Sequence, residues 1–158
     1  MKIPPELIVY VDECGIDKYL YREYGRAERG KPVYGKISGK KYKRVGVAAG
    51  LCCGNIISPI VYDGSMDSRL FECWFSDMLL SAVPQNGVII MDNATFHRKK
   101  RLTTLAESVG CSVAFLPPYS PDLNPIEHFW AWLKRHLRKT LPDHISFDDA
   151  IMAAFIVR

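Results

Sequence analysis

Two short runs of this chain are apolar throughout and stop on an aspartate. They are Leu7-Ile8-Val9-Tyr10-Val11 before Asp12, and Val88-Ile89-Ile90-Met91 before Asp92. A half-exposed strand would alternate polar and apolar residues, so unbroken runs of this length point to strands covered on both faces. Such strands form sheets sandwiched between helices, and ligands there sit outside the carboxyl ends of the strands. One aspartate after a strand is most often a turn former. Two in one small chain, each after a fully apolar strand, are candidates for a shared site.

The remaining elements follow from periodicity. Arg44–Cys53 and Ile56–Tyr62 are apolar runs around Gly54-Asn55 and read as a β-hairpin. Asp67 is an N-cap for a helix whose apolar positions are Leu70, Phe71, Trp74, Phe75, Met78 and Leu79, closed by Pro84 and Gly87. Lys99–Val109 reads as a helix ended by Gly110, and Ser112–Leu116 as a fifth strand. Asn124 as N-cap and Pro125 at the first helical position open a helix with Ile126, Phe129, Trp130, Leu133 and Leu137 on its apolar face. A last helix starts near Ser146 or Phe147. Lys18–Lys36 reads as a loop or weak hairpin. The order predicts an α/β fold, a central mixed five-stranded sheet flanked by helices. A length of 158 residues fits a single domain over residues 1–158.

No apolar run approaches the roughly 18 residues that span a bilayer, and the first residues lack a signal peptide's apolar stretch. The expectation is a cytoplasmic protein with no membrane contact. The net charge of +4 is mild, but its carriers cluster: Lys36–Arg44 with Lys40, Lys41, Lys43 and Arg44; Arg98–Arg101; and Lys134–Lys139. Any one cluster would pass as a solvated face. Three around one candidate site point to a polyanion. The 5 cysteines are odd in number and lack metal or disulfide spacing, so they read as small, reduced, mostly buried residues.

Glu127 lies in the first turn of the helix that Asn124 opens. On its own it is better explained as the acid of an Asn-type capping box. Joined to Asp12 and Asp92, it would make a cluster of hard oxygen ligands suited to Mg²⁺ or Mn²⁺. Two such ions can clamp the attacking and leaving oxygens of a phosphodiester. That chemistry needs little beyond carboxylates, and the chain offers no nucleophile elbow or Cys/His pair. Asn93 either holds Asp92 or shapes its turn. His97 and His128 lack the spacing of a zinc site. His128 reads as a DNA or water contact, or as an ordinary exposed helix residue. Trp130 falls on the apolar stripe and reads as core, while Trp132 is more exposed and offers a base-stacking surface. Glu127, Lys134 and Arg138 share one helix side, at steps of seven and four, either as a track for a DNA backbone or as a solvated face.

Four blocks of the chain resemble one family. Tyr10-Val11-Asp12-Glu13-Cys14-Gly15 is similar to the first-aspartate motif of DDE transposases of the mariner-like and bacterial insertion-sequence group. Ile89–His97 is similar to their second-aspartate motif. Leu116–Trp130 (LPPYSPDLNPIEHFW) is similar to the block that carries their final acid, and Lys36–Gly46 resembles the group as well. Asp92 and Glu127 are 35 positions apart, the spacing of members whose final acid is glutamate. The resemblance implies an RNase H-like fold with Asp12, Asp92 and Glu127 as metal ligands, Asp12 bridging two ions. It implies cleavage of double-stranded DNA at transposon ends, transfer of the 3′-hydroxyl into target DNA, and a homodimer when active. It makes capping and catalysis by Glu127 compatible, since a capped turn holds its carboxylate rigidly. It also implies a helix-turn-helix module ahead of the catalytic domain, for which no room is expected before Asp12. Two other readings stay open at this point: a stand-alone RNase H-like nuclease, and an inactive remnant that only binds DNA.

Overall fold

The computed structural model describes residues 2–17, 28–31 and 44–157. The expected loop over Lys18–Lys36 falls largely outside these residues, and Lys40, Lys41 and Lys43 fall wholly outside them. Five strands form one sheet: β1 (Ile8–Asp17), β2 (Arg44–Cys52), β3 (Asn55–Asp63), β4 (Val88–Met91) and β5 (Ser112–Phe115), in the order β3-β2-β1-β4-β5. β1–β2 and β2–β3 are antiparallel, while β1–β4 and β4–β5 are parallel. The mixed five-stranded sheet is as expected.

The sheet separates two cores. On one face Cys14, Ile16, Val45, Val47 and Ala49 meet α4 (Ile126–Thr140) and α5 (Phe147–Val157). On the other, Val9, Val11, Ala48, Ile89 and Met91 meet α1 (Ser68–Trp74) with its π-helical continuation Phe75–Leu79, and α3 (Lys99–Glu107). A short α2 (Leu80–Ala82) follows the π segment. The apolar stripe read for α4 is buried at each position: Ile126, Phe129, Trp130, Leu133 and Leu137. Asp67 caps α1 as expected, its side chain accepting from the Leu70 N–H at 2.8 Å.

Four expected element boundaries are corrected. β1 does not end at Val11. Its ladder with β4 stops at Val11↔Met91, but its ladder with β2 runs on to Asp17↔Arg44, so Asp12 lies inside the strand. The hairpin turns at Cys53-Gly54 rather than Gly54-Asn55, because Asn55 already pairs with Cys52. Both turn residues have positive φ, 48° and 81°, as a two-residue turn matching strand twist requires. α3 stops at Glu107 and its last turn tightens. Cys111 N–H reaches the Ala106 carbonyl at 2.9 Å past Gly110, a glycine-terminated cap. β5 stops at Phe115 instead of Leu116. The cysteines are all unpaired, but only Cys14 and Cys111 are buried, and Cys53 and Cys73 are exposed. Among the described residues, no helix is long and apolar enough to cross a membrane.

Candidate active site

Side chains alternate across a strand, so consecutive residues of β1 serve opposite faces of the sheet. Asp12 shares parity with Cys14 and Ile16 and points towards α4. Glu13 shares parity with Val9 and Val11 and points towards α1 and α3. Because Val11 pairs with Met91, the next residue on each strand is an aspartate, Asp12 beside Asp92. Adjacent strands are about 4.8 Å apart, so the register alone places two carboxylates at the open end of the parallel ladder.

α4 brings the third. Asn124 is buried and keeps extended dihedrals (φ −111°, ψ 100°), while Pro125 is already helical. Asn124 therefore caps the helix as expected. Its Oδ1 accepts from the Ile126 N–H at 3.3 Å, and its Nδ2 donates to the Val11 carbonyl at 3.2 Å. One side chain thus ties the start of α4 to the strand residue before Asp12. The capping box does not form: the Asn124 N–H donates to the Pro121 carbonyl at 2.9 Å, which leaves nothing for Glu127 to cap. Glu127 is exposed. Asp12, Asp92 and Glu127 line one pocket of about 400 Å³, together with Asn93, Asn124 and the loop 116–121.

The electrostatics of this pocket are unfavourable for bare carboxylates. The Asp12 pKa is pushed up from 3.8 to about 8, first by burial and then by the charges of Glu13 and Glu127, with Asp92 adding to them. A Glu13 backbone hydrogen bond opposes the rise. The Trp130 indole, itself buried, donates from Nε1 to Asp12 Oδ2 at 3.1 Å. A cation among the three acids would relieve this repulsion, so the donor set fits a hard divalent ion.

Asp92 is held differently. Its Oδ1 accepts from the Ala94 N–H at 3.2 Å and lies 3.3 Å from His97 Nδ1. The other ring nitrogen, Nε2, lies 3.2 Å from Glu13 Oε1. Among the described residues, Glu13, Asp92 and His97 are the three ligand-type side chains whose donor atoms all lie within 4.8 Å of one another. The three acids read from the sequence instead surround the pocket.

The basic residues are more dispersed than their clusters in the sequence suggest. Arg98 and Arg101 both bind the buried Glu72, at 2.6 and 2.8 Å, on the α1 side. Arg44 lies back over Gly15, where an added Cβ would sit 2.1 Å from its guanidinium. Lys134 is half-buried beside the Cys14 thiol. Burial pushes that thiol's pKa up and Lys134 pulls it back. Arg138 is exposed further along α4 and has its own interactions. His128 is exposed beside Glu127. Trp132 is only half-buried, its ring stacked on His136 at 4.9 Å.

The contacts of three residues with the acids were not read from the sequence: Glu13, which it passes over, His97, considered there only as a zinc ligand, and Trp130, read there only as core. The signal for Trp130 was present. It stands three residues after Glu127, on the same side of the helix, and a buried indole N–H needs an acceptor. For Glu13 and His97 the signal was strand parity, which places Glu13 opposite Asp12.

The sequence profile of the DDE superfamily endonuclease family matches residues 7–148. No curated protein sequence gives a match. Among solved structures, the mariner Mos1 paired-end complex with Mg superposes with a TM-score of 0.72 at 18% identity, covering 98% of this chain and 53% of that one. The Mos1 transposase paired-end complex with left transposon end gives 0.70 at 16%, covering 96% and 52%. The HTLV-2 integrase catalytic core domain in complex with magnesium gives 0.61 at 16%, covering 98% and 86%. The fold is that of these RNase H-like cores, and the chain spans about half the length of the transposases it matches.

Proposed function

Because the chain belongs to the DDE superfamily endonuclease family, we propose that it is the catalytic domain of a DNA transposase, with Asp12, Asp92 and Glu127 as its metal ligands. The observation that carries this reading is the convergence of the three acids on one pocket, where Asp12 is forced towards protonation by burial and then by its acidic neighbours. Carboxylates so arranged are costly unless positive charge joins them.

The three acids would hold Mg²⁺ or Mn²⁺, two ions in the working site. Bound divalent cations supply activation of a water or 3′-hydroxyl and neutralise charge on the departing oxygen. The chain's own residues do the rest. Trp130 orients Asp12 through its oxygen Oδ2. Asn124 fixes the first turn of α4, and with it Glu127, against β1. The pocket is open to a duplex, and Lys134 and Arg138 continue from Glu127 along one side of α4, where they would follow the phosphate backbone, with Lys40, Lys41, Lys43, Arg44 and Arg98 as further contacts. Asn93 and His128 border the acids and assist them. The substrates are double-stranded transposon ends and target DNA. The active form is a homodimer, cytoplasmic and on the nucleoid when bound to DNA.

A pre-cleaved DNA end with a free 3′-hydroxyl, supplied with target duplex and Mn²⁺, tests the proposal. Joined product that Asp12→Asn and Glu127→Gln abolish is expected. Hydrolysis without joining would make the protein a nuclease only. DNA binding with neither reaction would make it an inactive relative.

A further inference from the structure

His97 takes no part in the site as the three acids define it, yet few side chains in the molecule are held more closely. Its side chain is 1% exposed. Phe71 and Phe96 flank its ring, each with a centroid distance of 4.4 Å. Both ring nitrogens are taken up by the two acidic residues: Nε2 lies 3.2 Å from Glu13 Oε1, while Nδ1 pairs with the Asp92 backbone carbonyl at 3.4 Å and has Asp92 Oδ1 beside it at 3.3 Å. An imidazole serving only as core filler would not be buried with a carboxylate at each end, because each such group costs free energy unless satisfied.

We propose that His97 is a positioning residue for Asp92: it braces the carboxylate against Glu13 on the central strand. The inference rests on the proposed role of Asp92 as a metal ligand. Asp92 follows β4 immediately and its side chain is 50% exposed, so the end of the strand alone leaves it free to rotate. The brace holds the Asp92 backbone carbonyl and lies beside Oδ1, the oxygen that accepts from the Ala94 N–H, so that Oδ2 would be left for the pocket that Asp92 lines. Glu13 is 13% exposed and sits in the longest ladder of the sheet, paired opposite Ala48. It is a rigid anchor. Parity makes the arrangement possible: Asp12 faces the pocket through the α4 side, while its neighbour Glu13 reaches the second acid through the opposite face. The three groups approach within ligating distance of one another, but the ring stands between the two residues, with Nε2 for the Glu13 carboxylate and Nδ1 for Asp92. That geometry suits a bridge, whereas a shared cation would need all three donors turned to one point.

The test separates the two nitrogens. In His97→Phe the ring packing stays and both polar contacts go. In His97→Asn the amide nitrogen falls near Nδ1 and reaches Asp92, and in His97→Gln it falls near Nε2 and reaches Glu13. Mn²⁺ affinity by calorimetry should fall by about 10–100-fold in His97→Phe, recover to within a few-fold of wild type in His97→Asn, and stay weak in His97→Gln. Equal affinity in wild type and His97→Phe, or better rescue by Gln than by Asn, overturns the proposal. So does a nitrogen coupling from His97 in the electron spin-echo spectrum of bound Mn²⁺, which would make it a ligand. If His97→Phe does not fold, the Asn and Gln variants make the same comparison. If wild type binds no Mn²⁺, the metal reading fails by itself, and the brace is then judged in EDTA. There the melting-temperature changes of Asp92→Asn and His97→Phe should be non-additive by roughly 2–8 °C, and additive changes overturn it.

Discussion

Asp12→Asn should make the metal-free protein more stable at neutral pH, although it destroys the proposed site. The carboxyl is raised from 3.8 to about 8 by burial, then by Glu13 and Glu127. Between those values the folded state keeps a proton that the unfolded chain releases. Stability is therefore lost as pH rises from about 4 to 8, with a limiting slope of about 1.4 kcal/mol per pH step for one proton. Over the full window this reaches about 6 kcal/mol, an upper bound. Side-chain relaxation and water entry raise the effective dielectric and reduce it by about half. From pH 5 to 7.5 we expect wild type in EDTA to lose about 1.5–2 kcal/mol, a fall of roughly 3–8 °C in Tm. Asparagine has the same shape, can still accept from the Trp130 indole, and carries no charge, so its curve should be nearly flat. Glu13, Glu127, Lys134, Asp92, His97, Tyr62 and Arg44 surround the group from β1, α4, the β4 end, β3 and β2. These groups are present in both proteins, so the difference between the two curves reports on Asp12 and its coupling to them. Excess Mn²⁺ should restore wild type and leave the variant unmoved. Parallel pH curves for the two proteins would refute the reasoning, because Asp12 would then not be the strained carboxyl.

Trp130→Phe keeps the apolar packing and removes the donor to Asp12, so Mn²⁺ affinity measured by calorimetry should drop about tenfold while the fold persists. Asn124→Ala removes the cap of α4 and leaves the buried Val11 carbonyl without its side-chain donor. Urea denaturation should show a loss of about 2–4 kcal/mol. Replacing Lys134 and Arg138 together by Ala should weaken duplex binding and reduce the slope of log affinity against log salt by about 0.9 for each lost phosphate contact. An unchanged slope returns that side of α4 to plain solvent exposure.

Local signals in the sequence were enough for much of this fold. Asp67 capping α1, the buried stripe of α4 and the apolar run of β4 each depend on residues within one or two turns, and each stands where it was read. What failed was set by distant partners. β1 runs past Asp12 because β2 continues beside it, and nothing in Leu7–Val11 records the length of β2. The partner of the basic run Arg98–Arg101 was equally illegible: Glu72, 26 and 29 residues earlier, pairs with Arg98 and Arg101. Glu127 was legible as the third acid only through the resemblance, since Asn124 three residues earlier offered it a capping role. The structure removes that competitor, because the Asn124 N–H is spent on Pro121.

The unequal ladders of β1 explain how this site can be both rigid and open. On the β4 side pairing stops at Val11, which frees the edge where Asp12 and Asp92 stand, as a ligand site at the carboxyl end of parallel strands requires. On the β2 side pairing continues for six more residues, from Asp12↔Ala49 to Asp17↔Arg44, so the same residue is held by a continuous antiparallel ladder. A site carboxylate on a rigid element is placed more accurately than one on a loop. The arrangement also makes the register exacting. A slip of one residue in β1 would exchange the faces of Asp12 and Glu13, turning the longer Glu13 towards Trp130 and leaving Asp12 on the side of His97. Both acids would survive in the sequence, yet Trp130 and His97 would each face the wrong carboxylate. Gly15 and Gly46, paired across β1 and β2, help exclude that slip. An added Cβ would stand 2.1 Å from the Arg44 guanidinium at Gly15, and 2.2 Å from the Tyr62 ring at Gly46. The Arg44 end could swing aside, but the Tyr62 ring lies over Gly46 because glycine faces it, and Gly46 pairs with Gly15, which ties the placing of Asp12 to packing three residues further along the strand.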